Sequence, residues 1–417
     1  MIRLLAACTL LAFLLLSSSP SAQGPVAIPA DRLADSVGVN VHLHHLDTLY
    51  GNFPAVQWFL GQLGVRHVRD GLIDTSWQGY YDRHNALGTM GIKGIFIATP
   101  TVTDAVLRSY PSRMSYSFEG YELPNELDAS GSATWTGTLL QSLTQLHGLD
   151  VDPALTQFPV IGPSLTSAAS YAALGDVSGF YDAGNVHDYL SGRNPGTWGW
   201  GADGYGSIDW NLRLANHYAP GKPIIATETG YTDDPAVVNS IPSLIAGRYL
   251  PRLVLEQFRN GITRTYIYEL LDFPTTGLQQ LSGYGLVATN GAWKPAFHAL
   301  RNLLRLFSDP GPAPAAASLD YVLTGGDPTV RQMLFQKRDG TFLLALWQET
   351  STYDTDRKTY TPVAPTAVHV HVPVTAPFMR SYQWRDGGVV EEGSAFAGQT
   401  SFTVIVSDSL LVLQFGA

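Results

Sequence analysis

Cysteine is all but missing from this chain of 417 residues: the single one, Cys8, stands in an N-terminal apolar stretch, so the rest of the chain has no disulfide and no thiolate chemistry. Charge is scarce as well, at 14% of residues, and 25 basic against 35 acidic side chains give a net charge of -10 without any long basic run. A polyphosphate backbone would find no electrostatic footprint here, which excludes nucleic acid as the expected partner. No segment approaches the roughly 20 uninterrupted apolar residues of a transmembrane helix. The stretch at the N-terminus is different in kind: Arg3, an apolar run over 4–16 and a small, polar run over 17–23 have the layout of a secretory signal. Residues 1–22 are expected to be removed near Ala22, leaving a mature protein that is secreted or periplasmic and free of the membrane.

What is present is apolar material for a large core, 45% of the chain. Short runs rich in Val, Ile and Tyr recur, each followed by a longer segment with helical spacing, which argues for βαβ units and a parallel sheet. The expected strands cover 37–41, 65–69, 94–98, 118–123, 158–162, 185–188, 223–227 and 265–270. Helices are expected over 53–63, 135–147, 210–218 and 245–260, with Gly64, Gly91 and Gly261 as C-terminal stops. Eight such units are the size of an α/β (β/α)8 TIM barrel, here placed at 30–307 and closed by a helix over 294–307. The Pro- and Ala-rich stretch 308–318 reads as a linker. Beyond it, 319–417 is expected to form a small C-terminal antiparallel β-sandwich, from period-two runs over 342–347, 367–372 and 401–406.

A barrel of this kind carries its chemistry at the C-terminal ends of its strands. Glu122-Leu123-Pro124-Asn125-Glu126 ends the fourth expected strand and Ala226-Thr227-Glu228-Thr229-Gly230 the seventh. Glu126 and Glu228 therefore stand on one rim, three units apart, and a facing pair of carboxylates is what hydrolysis of a glycosidic bond requires. Their environments have to differ, one carboxyl staying protonated and the other ionised. Arg69 and Tyr189 are the expected donors to Glu228, whereas Glu122 reads as a buried structural acid.

Asn125-Glu126 after strand four, with Glu228 after strand seven, resembles clan A of the glycoside hydrolases, and the C-terminal β-domain resembles its family 39 members. The resemblance covers the barrel in outline. It implies that Glu126 is the acid/base, Glu228 the nucleophile of a retaining mechanism, and Asn125 a partner of the sugar 2-hydroxyl. His187-Asp188-Tyr189 is similar to the clan's strand-six segment and Arg69 to its strand-two arginine. Clan members often carry Trp at the end of strand eight; Tyr268-Glu269-Leu270-Leu271-Asp272 departs from that. The resemblance implies a fold and a mechanism and leaves the sugar open; the expected substrate is an oligo- or polysaccharide, with no cofactor or metal.

Around the pair, Glu269 and Asp272 are read either as contacts to substrate hydroxyls or as loop caps, and His187 as a wall residue. Trp77, Tyr80, Tyr81, Trp198, Trp200 and Tyr205 fall on the same rim, where flat faces stack on sugars. Among them Trp198 and Trp200, flanked by glycines, are expected to bind substrate. His42 and His44, two apart on the first strand, open a rival reading as ligands of a metal-dependent amidohydrolase. That site would lack its Lys after strand four and a His after strand five, so both histidines are read as sugar-hydroxyl contacts. A third reading is a carbohydrate-binding barrel without activity.

Overall fold

The computed structural model describes residues 24–73, 75–149, 152–272, 282–372, 379–393 and 399–416, and the expected signal segment lies outside them. Eight parallel strands form one sheet: β1 (Val37–Asn40), β2 (His67–Gly71), β3 (Lys93–Ile97), β4 (Phe118–Glu122), β5 (Val160–Ile161), β6 (Gly184–His187), β7 (Ile224–Thr229) and β8 (Ile262–Ile267). A bridge between Ile161 and Ala183 joins β5 to the start of β6 and closes the sheet into a barrel. The helices that follow the strands are α1 (Phe53–Leu63), α2 (Gln78–Thr89), α3 (Asp104–Arg113), α4 (Trp135–His147), α5 (Ala168–Leu174), α6 (Ile208–Tyr218), α7 (Ser243–Arg259) and α8 (Pro295–Phe307). The (β/α)8 reading of the sequence is therefore the observed fold.

Local chemistry sets the boundaries. Asn52 caps the start of α1 through the Ala55 amide, and Gly64 ends it in the left-handed conformation at φ 86°, which only glycine adopts without cost. That turn delays the second strand, which begins at His67 where the sequence pattern began it at Val65; Arg69 is consequently in mid-strand. The last strand lies three residues earlier than expected, so Glu269 follows β8 instead of ending it.

The C-terminal strands are β9 (Val322–Gly325), β10 (Val330–Gln336), β11 (Phe342–Gln348), β12 (Tyr353–Asp354), β13 (Thr359–Tyr360), β14 (Thr366–His371), β15 (Met379–Trp384), β16 (Val390–Gly393), β17 (Ser401–Val406) and β18 (Leu411–Phe415). A six-stranded sheet contains β10, β11, β18, β15 and β16, and its sixth member is the N-terminal Ile28–Pro29, paired in parallel with β10. Strands β9, β14 and β17 form a second sheet. Strands β14 and β17 alternate buried and exposed as their sequences do. Strand β11 does not alternate and is buried on both faces. One face, with Leu343, Ala345 and Trp347, joins the core of the barrel, while Leu344 and Leu346 pack with Val368, Val370, Val404 and Val406 of the second sheet. A strand between two apolar layers must be apolar throughout, which is why its period-two reading fails. Among the described residues no helix is long and apolar enough to cross a membrane.

Candidate active site

Strand β7 makes the site possible through an irregularity. Val186 of β6 faces Ala226, but the next residue, His187, faces Glu228, so one extra residue is inserted at Thr227. A bulge of this type lets successive side chains turn to the same side, where a regular strand would send them to opposite faces. Thr227 and Glu228 both use it: the Thr227 hydroxyl lies 3.0 Å from Glu122 Oε1 and 2.8 Å from Asn185 Oδ1, while Glu228 accepts from Arg69 and Tyr189.

Arg69 is buried and organises the floor. Its guanidinium donates to Glu122 (Nε 2.7 Å, Nη2 2.8 Å), to Asn40 Oδ1 at 2.9 Å, to Glu228 Oε1 at 2.6 Å and to Asn125 Oδ1 at 2.6 Å. Because the Asn125 carbonyl oxygen is held in this way, its NH2 group is left as a donor on an exposed side chain. Glu122, fully buried, also accepts from Asn185 Nδ2 at 3.1 Å, and is the structural acid expected from the sequence.

Glu126 follows β4 in the left-handed region, φ 42° and ψ 45°, a conformation seldom taken by residues other than glycine and concentrated at functional sites. Its Oε1 lies 2.6 Å from His187 Nδ1, and the other ring nitrogen, Nε2, lies 3.0 Å from the Thr227 hydroxyl. The hydroxyl has one proton, and with Glu122 and Asn185 Oδ1 as acceptors it presents a lone pair to His187. Nε2 therefore carries hydrogen, and a single proton is shared between Nδ1 and Glu126. Burial pulls the His187 pKa down, but the charge of Glu228 and the bond to Glu126 outweigh it and the net shift is upward.

Glu228 is tuned the opposite way. Burial alone would raise its pKa; the positive charges of His187 and Arg69 and the hydrogen bonds from Arg69 and from Tyr189, at 2.9 Å, bring it to about 2. Ligand atoms of Glu126, His187 and Glu228 all lie within 4.8 Å of one another. The same three residues are the only trio among the described residues with the spacing for a metal ion. Both Glu228 oxygens are already occupied and Arg69 places a fixed positive charge against one of them, which opposes a second cation there.

The expected residues Arg69, Asn125, Glu126, His187, Tyr189 and Glu228 thus converge. Two more sit beside them: His42 Nε2 is 3.0 Å from Glu269 Oε2, with Glu269 buried and its pKa raised by burial against the pull of His42. His44 turns away to Asp70, 3.7 Å distant, so the two histidines face different carboxylates and do not form a shared ligand pair. Asp272 is a loop cap, held by Lys294 at 2.7 Å and accepting from the Gly285 amide. Tyr80 and Tyr81 are core residues without exposure, which removes them from the rim set; their helix turns them inward against Tyr110 and His84. Trp198 (63% exposed) and Trp200 (37% exposed) stand on the loop after β6, where Trp200 lies 3.6 Å beneath the Arg193 guanidinium. Among the described residues the side-chain contacts of the two rings are to Gly201, Arg193 and Tyr205, within or beside their own loop. Asn40, Tyr268 and Tyr284 belong to the site without having been singled out: Tyr284 packs edge-on against Tyr189 at 5.6 Å and against Tyr268 at 5.8 Å. Tyr268 was visible as the aromatic next to Glu269; Tyr284 had no signal, because it reaches the site from a loop.

No protein-family model matches the chain, and no curated relative does. Solved structures are similar in fold across both the barrel and the β-domain. A family 39 glycoside hydrolase of the gut symbiont Bacteroides cellulosilyticus WH2 is 14% identical with a TM-score of 0.64, covering 93% of this chain and 82% of its own. The GH39 enzyme of Xanthomonas axonopodis pv. citri is 16% identical (TM-score 0.61, 94% and 96% covered), and a monomeric β-xylosidase of Caulobacter crescentus CB15 is 14% identical (TM-score 0.61, 94% and 98% covered). The chain shares its fold with these structures.

Proposed function

We propose that the protein is an exported retaining glycoside hydrolase in which Glu228 is the nucleophile and Glu126 the acid/base. The observation that carries this is the closeness of the two glutamates, one carboxylate oxygen of each lying within 4.8 Å of the other. Retaining enzymes hold their carboxyl groups about 5–5.5 Å apart and inverting ones about 6.5–9.5 Å, to make room for a water.

In the first step the Glu228 carboxylate, ionised at its pKa of about 2, attacks the anomeric carbon. The bond from that carbon to the leaving oxygen breaks as Glu126 transfers its proton to that oxygen, giving a glycosyl ester on Glu228. In the second step Glu126, now ionised, takes a proton from water, whose oxygen attacks the anomeric carbon and expels Glu228. Two inversions give net retention. His187 shares the proton that Glu126 gives and regains, and the Asn125 NH2 group is placed to donate to a sugar hydroxyl. The substrate class is an oligo- or polysaccharide. Because one neighbour in fold is a β-xylosidase, aryl β-xylosides are the first substrates to assay.

The test is hydrolysis of a panel of aryl glycosides and polysaccharides by the wild type, Glu228→Ala and Glu126→Ala, with NMR of the first-formed anomer. Both variants are expected to lose activity by several orders of magnitude. Activity that survives both changes, or an inverted first product, overturns the assignment.

A further inference from the structure

Away from the carboxylates, α8 and the β-domain flank a groove of about 510 Å³ lined by His298, Arg301 and Arg305 on one side and Tyr382, Val390 and Glu392 on the other. Its two arginines differ in their partners from most arginines that pack between elements of this chain. Arg66, Arg248, Arg252 and Arg264 all sit on carboxylates. Arg301 and Arg305 have none among the described residues; each reaches only the Gln62 side-chain oxygen, at 3.5 and 3.2 Å. Arg301 Nε is buried without a hydrogen-bond partner. The acid in the groove, Glu392, is engaged by Arg380 at 3.2 Å.

Two like charges one helical turn apart repel, so the pair costs energy unless something anionic lies on it. Arg305 in the last turn of α8 has a bland role, complementing the helix dipole. Arg301, a turn further in, does not. Next to it runs an aromatic ledge: Trp58, 53% exposed, lies 5.1 Å from Trp293 at a tilt of 34°, and Trp293 in turn lies 5.5 Å beneath the Arg301 guanidinium and 5.2 Å from His298. Guanidinium groups recognise carboxylates through paired hydrogen bonds, and flat aromatic faces take up the C–H face of a sugar ring.

We propose that this groove binds an acidic polysaccharide, with uronate carboxylates on Arg301 and Arg305 and a sugar face on Trp58, at a site separate from the cleavage site. The choice of a sugar over another polyanion rests on reading the protein as a glycosidase; the cationic groove itself does not.

The experiment is affinity electrophoresis of the full chain through native gels containing polygalacturonate, with neutral barley β-glucan and inorganic polyphosphate in parallel gels. Retardation is expected with polygalacturonate alone. The double variant Arg301→Ala/Arg305→Ala is expected to raise the apparent Kd at least about tenfold, since it removes two charge-assisted hydrogen-bonding groups. Trp58→Ala should weaken retardation in part. Glu228→Gln should be retarded like the wild type, and the double variant should hydrolyse a small aryl glycoside at the wild-type rate. An unretarded wild type, equal retardation by polyphosphate, or a double variant still retarded overturns the proposal. A protein that is retarded as expected and cleaves no glycoside upholds the groove and removes only the enzymatic reading. Among the described residues the side-chain hydrogen bonds of the two arginines go to Gln62 alone, and Arg301 also stacks over Trp293; an unchanged thermal melt confirms that their removal leaves the fold intact.

Discussion

Glu122 holds Arg69 by two bonds, from Nε at 2.7 Å and from Nη2 at 2.8 Å, and neither side chain is more than 2% exposed. The remaining three donors of the same guanidinium reach Asn40, Glu228 and Asn125, so the aim of the last two depends on a carboxylate that never meets solvent.

Replacing Glu122 by Gln keeps the shape and removes the charge. Arg69 then has one ionic partner where it had two, and its plane is free to tilt. A displacement of about 1 Å at a reacting group costs up to about a hundredfold. Glu122→Gln is therefore expected to lower kcat by tenfold or more, as order of magnitude, with KM little changed. Glu122→Ala, which leaves part of a buried charge uncompensated, is expected to lower stability by about 3 kcal/mol or more. Steady-state kinetics and thermal melts read the two effects separately; an intact kcat in Glu122→Gln would reduce Glu122 to a purely structural acid.

The tuning of Glu228 gives a pH prediction with a definite sign. Its pKa is depressed to about 2, in part by the Tyr189 hydroxyl, so the acid limb of kcat/KM lies well below the ordinary carboxylate range. Tyr189→Phe removes one donor to the ionised form. A hydrogen bond to a charged group is worth about 1.5–3 kcal/mol, which is about one to two pH units. The acid limb of the variant is expected to move upward by about that much. A limb that stays in place would show that His187 and Arg69 suffice.

How much of this was legible in the chain differs by residue. The barrel was, because strand and helix periods alternate cleanly and Gly64 and Gly261 mark real helix ends. Glu126 and Glu228 were, because both end expected strands. The bulge at Thr227 was not: it is a property of the pairing between two strands, and nothing local distinguishes Thr227 from a regular strand residue. The divergence of His42 and His44 was hidden for a similar reason, since each is oriented by a carboxylate distant in sequence, Glu269 and Asp70. Tyr80 and Tyr81 were misplaced because helix α2 begins at Gln78 and turns both inward. The parallel pairing of Ile28–Pro29 with β10 joins the ends of the chain, and no window of sequence spans it.

Asp188 sits between His187 and Tyr189 but faces the opposite way, and its side-chain hydrogen bonds come from Gln257 Nε2 at 2.9 and 3.0 Å. Burial raises its pKa from 3.8 to about 7 against the pull of that amide. A carboxyl with a raised folded-state pKa favours its protonated form, so its contribution to stability is complete below about pH 4 and is lost as pH rises toward 7. Asp188→Asn removes that loss. The variant is expected to melt higher than the wild type at pH 8, by up to roughly 4 kcal/mol of stability, and to differ little at pH 4. Melting curves across that range decide it, and equal melts at pH 8 would mean that Gln257 satisfies the ionised form.

Arg252 of α7 and Glu349, just past β11, form a buried ion pair between the barrel and the β-domain, with contacts of 2.6 and 3.0 Å and no more than 1% exposure on either side chain. The same carboxylate accepts from Asn194 Nδ2 and the Gly196 amide, both at 2.9 Å, so it anchors the loop that carries Trp198 and Trp200. A Cβ at Gly196 would collide with the Glu349 side chain, which is why glycine stands there. Arg252→Met strands a buried negative charge and is expected to cost about 3–5 kcal/mol. Arg252→Met/Glu349→Leu removes the charge as well and is expected to recover a good part of that loss, because a buried pair exchanged for apolar groups of similar size is often close to neutral. The loop responds differently: once Glu349 is gone, its two N–H donors lose their acceptor in the single and the double variant alike. Amide hydrogen exchange over 194–206 should therefore accelerate in Glu349→Leu and in Arg252→Met/Glu349→Leu by a similar factor, even where the double variant regains its melting temperature. Exchange that follows global stability instead would show that Glu349 joins the domains without ordering the loop.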